Sequence, residues 1–308
     1  MFSEEIERKL QKAGYKLVGS HSAVKLCLWT RKSIKGGEKE FCYKEKFYGD
    51  LGIKSHRCLQ MTPAAPFCTL RCAFCWRDTT TTLSKWSGKA DEPTDIVEKS
   101  IKAQRELLSG LGGTDHSVRH WKEAMEPSNV AISLAGEPTF YERLSELIGE
   151  FHKRKMKTFL VTNGTLPERL GALSVLPTQL YVSLCSNSKE MMDSAQKPLI
   201  PDAWEMLNES LDMLNGLRTR RVIRMTLVKG INMSEPDRYA RLIEKASPDF
   251  VEVKAGMAVG FSRTQNRIRY EDMASHDEIV EFSKKLAESL GYNLANEKRD
   301  SRVALLKK

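Results

Sequence analysis

Short apolar runs alternate with longer amphipathic segments along most of the chain. The apolar runs predict six buried strands, at residues 57–61, 130–134, 158–162, 180–184, 222–228 and 250–254. Between most of them, apolar positions at helical spacing predict helices over residues 93–108, 141–153, 203–214 and 235–246. A repeated strand–helix order indicates an α/β fold with a parallel sheet and right-handed crossovers. Six such units make an open (β/α)6 partial barrel.

Both ends of the chain extend this pattern. Residues 277–290 predict a closing helix, and residues 302–306 predict a last short strand. Residues 1–57 form an N-terminal extension that begins as a charged helix and contains a Gly36–Gly37 turn. We therefore expect two parts, an extension over residues 1–57 and a barrel domain over residues 58–308.

Charge favours a polyanionic partner without requiring one. The 308 residues include 49 Lys and Arg against 40 Asp and Glu, a formal net charge of +9. Two basic groups stand out: His152, Lys153, Arg154, Lys155 and Lys157, and Arg218, Arg220, Arg221 and Arg224. The alternative is that both groups are solvated helix ends and loops.

The sequence predicts a cytoplasmic protein. No apolar stretch approaches the roughly 18 residues that a membrane span needs, and the N-terminus has no apolar signal core. In a reducing compartment, cysteines are more often metal ligands or buried residues than disulfides.

Six of the seven cysteines lie between residues 27 and 75, and the seventh is Cys185. Three of them follow a C-x3-C-x2-C spacing: Cys68, Cys72 and Cys75. Three thiolates at this spacing bind three irons of a cubane cluster and leave the fourth iron open. Structural zinc sites use four ligands in two close pairs. Phe74 and Trp76 would shield such a cluster from water, and the alternative is three buried cysteines without a metal.

The functional residues of a parallel α/β sheet usually lie at the carboxyl ends of its strands. The predicted strand ends carry these residues: Gly136-Glu137-Pro138, Asn163-Gly164, Ser183, Lys229-Gly230 and Lys254-Ala255-Gly256. A glycine lets the backbone approach a ligand, and an acidic group with nearby carbonyls accepts from an ammonium. The alternative for the Gly-Glu-Pro turn is a strand terminator before a helix.

The cysteine motif and the Gly-Glu-Pro turn together resemble the radical S-adenosylmethionine (SAM) superfamily. In that superfamily the open iron binds the amino and carboxylate groups of SAM, and cleavage yields a 5′-deoxyadenosyl radical. The Gly-Glu-Pro segment contacts the SAM amino group. The resemblance implies a 4Fe–4S cluster on Cys68, Cys72 and Cys75. The candidate SAM-binding residues are Phe74, Gly136, Glu137, Pro138, Asn163 and Ser183.

The remaining N-terminal cysteines are Cys27, Cys42 and Cys58, with 14 and 15 residues between neighbours. This spacing is typical of neither a zinc knuckle nor a ferredoxin run. Three ligands again indicate a cluster with one open iron, and buried or unrelated thiols are the alternative.

Longer segments resemble the archaeal tRNA 4-demethylwyosine synthases, and the similarity extends across nearly the whole chain. The matching segments are CYKEKFYG at residues 42–49, SHRCLQMTP at 55–63, FCWR at 74–77, SLAGEPT at 133–139, TNG at 162–164 and TLVKGIN at 226–232. Members of this family condense N1-methylguanosine, beside the anticodon of tRNA-Phe, with two carbons of pyruvate. The product is 4-demethylwyosine, the tricyclic precursor of wybutosine-type bases.

This resemblance implies a role for each N-terminal cysteine and for one lysine. Cys27, Cys42 and Cys58 would hold a second 4Fe–4S cluster, whose open iron would bind the carboxylate and keto oxygen of pyruvate. Lys44 matches the family lysine proposed to form a Schiff base with pyruvate. The alternatives are that Lys44 is a surface lysine or that Lys46 takes this role.

The resemblance also implies contacts with tRNA. The two basic groups would meet tRNA phosphates while the target base is turned out of its stack. Trp76, Trp86 and Tyr48 could stack on that base, and the alternative for each is a buried aromatic. Cys185 matches no family role, so we expect a buried free cysteine.

Eukaryotic relatives carry an N-terminal flavodoxin-like domain, for which this chain has no room. We therefore expect no bound flavin, an external one-electron reductant of the ferredoxin or flavodoxin type, and a monomer without membrane contact. Two rival functions remain at this point. One is a different radical SAM enzyme with an auxiliary cluster, acting on a peptide or another RNA, although such enzymes usually place their extra cysteines after the barrel. The other is a zinc-dependent RNA-binding module, which predicts close cysteine pairs and no Gly-Glu-Pro turn.

Overall fold

The computed structural model describes residues 1–265 and 267–308, and this part of the chain divides into two compact units. The first unit comprises Met1–Phe67, Trp86–Val161 and Leu173–Thr178. The second unit comprises Cys68–Lys85, Thr162–Ala172 and Gln179–Lys308. Residues 1–57 belong to the first unit, and the proposed domain boundary after residue 57 stays a prediction.

The first unit combines an antiparallel edge with three parallel strands. Its described strands are β1 (Lys16–Val18), β2 (Ser22–Val24), β3 (Cys58–Thr62), β4 (Asn129–Ile132) and β5 (Lys157–Thr162). β2 pairs antiparallel with both β1 and β3, whereas β3, β4 and β5 are parallel. Its described helices are α1 (Glu4–Lys12), α2 (Leu28–Gly36), α3 (Tyr43–Phe47), α4 (Pro93–Ser109), α5 (Val118–Ala124) and α6 (Leu144–Lys153).

The second unit has the reverse arrangement, with its antiparallel strands last. Its described strands are β6 (Gln179–Ser183), β7 (Arg220–Leu227), β8 (Phe250–Ala255), β9 (Asn293–Lys298) and β10 (Val303–Lys307). β6, β7 and β8 are parallel, and β10 pairs antiparallel with β8 and β9. Its described helices are α7 (Pro167–Gly171), α8 (Lys189–Ala195), α9 (Ala203–Leu214), α10 (Pro236–Ala246), α11 (Phe261–Thr264) and α12 (His276–Leu290).

The six predicted strands are all present within the described residues, as β3 to β8, and all run parallel to a neighbour. The closing helix and the last strand are also confirmed, as α12 and β10. Among the described helices, none combines the length and apolar character that crossing a lipid bilayer requires.

Helix α12 shows how local sequence sets an element. Ser275 Oγ accepts from the backbone N–H of Glu278 at 3.1 Å, and the Glu278 carboxylate accepts from the backbone N–H of Ser275 at 2.7 Å. This reciprocal pair satisfies two N–H groups at the start of the helix. Gly291 ends it in the left-handed conformation at φ 66°.

Strands β1, β2 and β9 were not predicted from the sequence. β1 and β2 have three residues each, and β2 is buried throughout, so neither shows a usable alternation. Helix α6 starts at Leu144 rather than Tyr141, because Tyr141 is extended and follows a 3₁₀ turn over Pro138–Phe140. β1 pairs with the adjacent β2 and β9 with the adjacent β10, whereas β2 also pairs with the distant β3.

Replacing Leu211 by Ala should destabilise the protein by about 2–5 kcal/mol, the usual range for a buried leucine. Leu211 is fully buried on the inner face of α9. Val118, which is 57% exposed on α5, is the control, and Val118→Ala should change stability by less than about 0.5 kcal/mol. Urea unfolding followed by circular dichroism measures both, and equal losses would contradict the assignment of the core.

Candidate active site

The loop of Cys68, Cys72 and Cys75 is held by main-chain hydrogen bonds within the second unit. The N–H of Arg71 donates to the carbonyl of Gln196 at 2.9 Å, and the N–H of Ala73 donates to the carbonyl of Ala195 at 2.8 Å. The N–H of Cys68 donates to the carbonyl of Leu83 at 3.0 Å. None of the three cysteines forms a disulfide, and all three are half-buried. The loop therefore has a fixed backbone that presents its thiols together.

Burial and mutual repulsion disfavour thiolates in this loop. The pKa of Cys72 lies well above its ordinary value, first because the group is buried and then because Cys75, Cys68 and Cys185 are nearby. Burial also raises the pKa of Cys75, against the lowering effects of the Arg77 backbone and of Arg267. Thiolates are the ligands that iron requires. A cationic centre would supply the compensating charge, so the donor set fits an iron–sulfur cluster.

Asn163 connects the end of β5 to this loop through side-chain hydrogen bonds. Its Nδ2 donates to Thr69 Oγ1 at 2.8 Å and to Cys68 Sγ at 3.8 Å. Its Oδ1 accepts from the backbone N–H of Thr165 at 3.0 Å. The structure thus brings Asn163 to the cysteine motif, as expected for a residue at a strand end. Ser183 is the last residue of β6, and Phe74 packs against a buried apolar cluster.

The Gly-Glu-Pro turn lies in the first unit, where its backbone contacts the residues that precede the cysteine loop. Gly136 has φ +66°, and a Cβ there would meet the carbonyl oxygen of Ala64 and lie 2.5 Å from that of Phe67. The N–H of Glu137 donates to the Phe67 carbonyl at 2.6 Å. Glu137 is 2% exposed, and its carboxylate accepts from Thr139. Only glycine fits at position 136.

A pocket within the first unit collects the three N-terminal cysteines and Lys44. Its empty volume is about 370 Å³, part of which is open to solvent. Its lining consists of Cys27, Trp29, Thr30, Cys42, Lys44, Glu45, Ile53, Lys54, Ser55, Cys58, Asn129, Ala131 and Phe159. Residues that are widely spaced in sequence therefore share one cavity.

Three separate elements place these thiols. Cys27 is the N-cap of α2, Cys42 is the N-cap of α3, and Cys58 is the first residue of β3. The N-terminus of a helix stabilises negative charge through its unpaired N–H groups. Cys27 and Cys42 therefore each lie at the start of a helix, beside its unpaired N–H groups.

Burial raises the pKa of the Cys58 thiol to about 12, and neighbouring Cys27 raises it further. Lys44 and a hydrogen bond from Asn129 act in the opposite direction. Asn129 pairs with Cys58 across β3 and β4, so its side chain lies on the same face of the sheet. The Cys58 thiol, like that of Cys72, therefore needs a compensating cation to ionise, which a cluster would provide.

Lys44 is half-buried, whereas Lys46 is exposed. The Nζ of Lys44 lies 5.0 Å from the centroid of the Phe159 ring, which also lines the pocket. This difference distinguishes the two lysines that the sequence left as alternatives, because only Lys44 lines the pocket.

A hydrogen-bond network behind the pocket was missed by the sequence analysis. The Glu45 carboxylate accepts from the N–H of Ser55 at 2.7 Å and from its hydroxyl at 2.6 Å. Ser55 Oγ in turn accepts from the N–H of Cys42 at 2.8 Å. Gln104 Nε2 donates to the carbonyl of Cys58 at 3.2 Å. Such outer contacts fix the orientation of metal ligands.

The candidate stacking residues differ in exposure. Tyr48 is fully buried, so its interpretation as a stacking residue is wrong. Trp86 is half-buried and contacts the rings of His21 and Phe67 at centroid distances of 4.8 and 4.6 Å. Trp76 is 38% exposed, and the Arg77 guanidinium lies 3.4 Å from the centroid of its ring. Cys185 is buried and free, which confirms its expected state.

The two basic groups lie at the amino ends of strands, since β5 begins at Lys157 and β7 begins at Arg220. Several members are ion-paired: Lys153 and Arg154 with Glu150, Arg221 with Asp249, and Arg224 with Glu252. Part of their charge is therefore neutralised within the protein. The formal net charge therefore overestimates the positive charge that these two groups present to a polyanion.

The described residues contain no group of three or more His, Cys, Asp or Glu side chains arranged around a single metal-ion position. Zn–S bonds of about 2.3 Å bring the sulfurs of a zinc site within roughly 4 Å of one another. A cubane binds each thiolate to a different iron and so separates the sulfurs further. The rival zinc module has no candidate site in this part of the chain.

Comparison with known proteins identifies the family. Residues 62–243 match the model of the radical SAM superfamily, and residues 245–308 match the model for wyosine base formation. The S-adenosyl-L-methionine-dependent tRNA 4-demethylwyosine synthase of Pyrococcus abyssi is 49% identical, over 98% of this chain and 88% of that protein. The chain belongs to the tRNA 4-demethylwyosine synthase family. As a radical SAM enzyme of this family, it uses SAM and a 4Fe–4S cluster.

Solved structures of the family confirm the fold. A structure of TYW1 with a lysine–pyruvate adduct bound is 39% identical, with a TM-score of 0.89 over 100% of this chain and 96% of that chain. The crystal structure of archaeal TYW1 is 36% identical, with a TM-score of 0.79 and the same coverage. The synthase therefore has the predicted α/β fold with an open (β/α)6 radical SAM partial barrel.

Replacing Asn163 by Ala should make the SAM cluster harder to reduce. The substitution removes an N–H donor to Cys68 Sγ, and hydrogen bonds to ligand sulfurs raise cluster potentials. Asn208→Ala is the control, because Asn208 Nδ2 donates to the Trp204 carbonyl within α9. Redox titration followed by electron paramagnetic resonance (EPR) should show a lower potential for Asn163→Ala alone. An unchanged potential would contradict the assigned hydrogen bond.

Proposed function

We propose that this synthase condenses N1-methylguanosine, beside the anticodon of tRNA-Phe, with two carbons of pyruvate to give 4-demethylwyosine. The observation that carries the proposal is the pocket in which Lys44 lies among Cys27, Cys42 and Cys58. The name of the Pyrococcus abyssi relative supports the tRNA substrate and the product. The lysine–pyruvate adduct in the 39%-identical structure supports pyruvate as the second substrate.

In this proposal Cys68, Cys72 and Cys75 hold the cluster that binds SAM. Bound there, the cluster and SAM would supply the radical chemistry that begins at the N-methyl group of the target base. Asn163 positions Cys68 through its hydrogen bond to the sulfur. Gly136, Glu137 and Pro138 contribute to SAM binding, together with Phe74, Asn163 and Ser183. Excluding water from this site protects the radical from side reactions.

Cys27, Cys42 and Cys58 hold a second 4Fe–4S cluster. Its contribution is an open coordination position for the carboxylate and keto oxygen of pyruvate. The Glu45–Ser55 network fixes the backbone of Cys42, and Gln104 fixes that of Cys58. The protein thereby holds the ligands at set positions, and positioning is its largest contribution to joining two substrates.

Lys44 supplies the nucleophile of the pyruvate half of the reaction. Its amine adds to the keto carbon of pyruvate, and loss of water leaves a C=N bond between Nζ and that carbon. The half-buried position beside Phe159 limits the freedom of the long side chain. Lys46 is exposed and does not line the pocket, so we assign it no part in this step.

The remaining requirements follow from the chemistry. An external one-electron reductant of the ferredoxin or flavodoxin type supplies the electron. We infer that the enzyme acts as a monomer in the cytoplasm, where its tRNA substrate is found.

Lys44→Gln should abolish formation of the tricyclic base, because glutamine has no amine to add to pyruvate. Lys46→Gln is the matched control and should retain most of the activity. The reconstituted enzyme is incubated anaerobically with SAM, dithionite, pyruvate and tRNA-Phe carrying N1-methylguanosine, and nucleosides are analysed by mass spectrometry.

Trapping with cyanoborohydride provides a second readout for Lys44. Pyruvate should be reduced onto the peptide that contains Lys44 in the unaltered enzyme and be missing from that peptide in Lys44→Gln. Trapping of pyruvate on Lys46, or activity of the Lys44→Gln variant, would contradict the assignment of Lys44 as the nucleophile.

Cys27→Ala should lower the iron content of the reconstituted protein from about eight to about four per chain, the difference being one cubane. Cys185→Ala is the control and should retain about eight, because this buried thiol has no assigned ligand role. Iron analysis with EPR spectroscopy distinguishes the two. Equal iron content in both variants would contradict the proposal that Cys27 helps to hold a second cluster.

A further inference from the structure

A surface of aromatic and arginine side chains lies next to the cysteine loop, entirely within the second unit. We call it the aromatic–arginine surface and define it by Trp76, Val259, Arg263, Arg267 and Tyr270. Trp76, Val259 and Tyr270 are 38, 47 and 57% exposed. Single exposed apolar residues are common, but three on two adjoining loops form a patch.

Backbone contacts fix the two loops against each other. The N–H of Phe261 donates to the carbonyl of Trp76 at 3.0 Å. Gly260 has φ +58°, and a Cβ there would lie 2.5 Å from the Trp76 carbonyl oxygen. Only glycine permits this approach, so position 260 is set by the contact with Trp76.

Side chains below the surface strengthen this anchorage. Nη1 of Arg267 donates to Thr79 Oγ1 at 2.9 Å, joining the two loops a second time. Val228, Ala258 and Ile268 form a buried cluster, and Phe74 from the cysteine motif packs against it. The loops that carry the exposed side chains are therefore joined to the cysteine loop by hydrogen bonds and apolar packing.

The arginines of this surface are arranged differently from those of the basic group on β7. The Arg263 guanidinium lies 4.8 Å from the centroid of the Tyr270 ring, and that of Arg267 lies 4.8 Å from the Phe261 ring. No ion pair joins either arginine to a carboxylate among the described residues, whereas Arg221 and Arg224 are paired. Positive charge on the aromatic–arginine surface thus stays available to an anionic partner.

We propose that the aromatic–arginine surface binds unpaired nucleotides of the tRNA anticodon loop. Trp76 and Tyr270 stack on exposed bases, and Arg263 and Arg267 contact the phosphates between them. This inference rests on the proposed function, because it names where the tRNA substrate of that function is held.

Charge and shape favour this occupant over a duplex. Unpaired bases expose flat π faces for aromatic side chains and keep their phosphates within reach of arginines. A duplex stacks its own bases and offers mainly phosphates, which would leave Trp76 and Tyr270 unused. Since Trp76 follows Cys75 directly, nucleotides held here lie beside the loop proposed to carry the SAM cluster.

Binding of two RNA probes by the reconstituted full-length enzyme tests the proposal. One probe is the tRNA-Phe anticodon stem–loop carrying N1-methylguanosine, and the other is a blunt RNA duplex of equal charge. Fluorescence anisotropy gives Kd at several salt concentrations. Tyr270→Ala should weaken binding of the stem–loop roughly tenfold, as expected for loss of one stacked base, and leave duplex binding unchanged. Tyr270→Phe, which keeps the ring, should bind like the unaltered enzyme.

Arg263→Gln should lower the slope of log K against log salt by about 0.7, the value of one phosphate contact on a single strand. Arg241→Gln is the matched control, because Arg241 is exposed on α10 in the same unit and belongs neither to the aromatic–arginine surface nor to a basic group, and its slope should not change. The proposal is overturned if Tyr270→Ala binds the stem–loop as tightly as the unaltered enzyme, or if both arginine variants lower the slope equally. Product formation by the unaltered enzyme tests the proposed function separately, since it does not depend on either variant.

Discussion

The backbone contact between the Gly136 turn and Phe67 is the constraint on which the rest of the site depends. The turn approaches so closely that a side chain at position 136 would meet two carbonyl oxygens, and Glu137 donates its N–H to the Phe67 carbonyl. Cys68 is the next residue along the chain. The end of β4 therefore fixes the backbone at Phe67, and a substitution at Gly136 would displace that residue.

Buried thiols impose the second constraint. Burial raises the pKa of both Cys72 and Cys58, and neighbouring thiols add to it. A fold that places three thiols together in partly buried positions is therefore unfavourable for their ionisation unless a cationic centre compensates. The ammonium of Lys44 supplies part of that compensation at Cys58, because it lowers the pKa of that thiol. The same features that favour cluster binding thus also set the environment of the lysine.

The sequence predicted the parallel strands and the five longest helices, because their apolar periodicity is local and strong. It also predicted the cysteine motif and Asn163 at a strand end, and the structure joins these by a hydrogen bond. Asn129 and Glu45 could not be found this way, because their importance comes from strand register and a loop contact. Ion pairing of Arg221 and Arg224 depends on β8 and its flanking residues, so counting charges overestimated the basic group. For Tyr48 the sequence left two alternatives, a stacking residue or a buried aromatic, because a position in a motif does not reveal burial; the structure shows it buried.

The fate of the pyruvate carbons tests the proposed condensation most directly. The reconstituted enzyme would be supplied with SAM, dithionite, tRNA-Phe carrying N1-methylguanosine and pyruvate labelled with ¹³C at every carbon, followed by mass spectrometry of the nucleosides. If the condensation occurs as proposed, the tRNA will contain a tricyclic base that carries the label in two added carbons. Formation of 5′-deoxyadenosine with no label in the tRNA would contradict it, leaving a radical SAM enzyme with a different substrate.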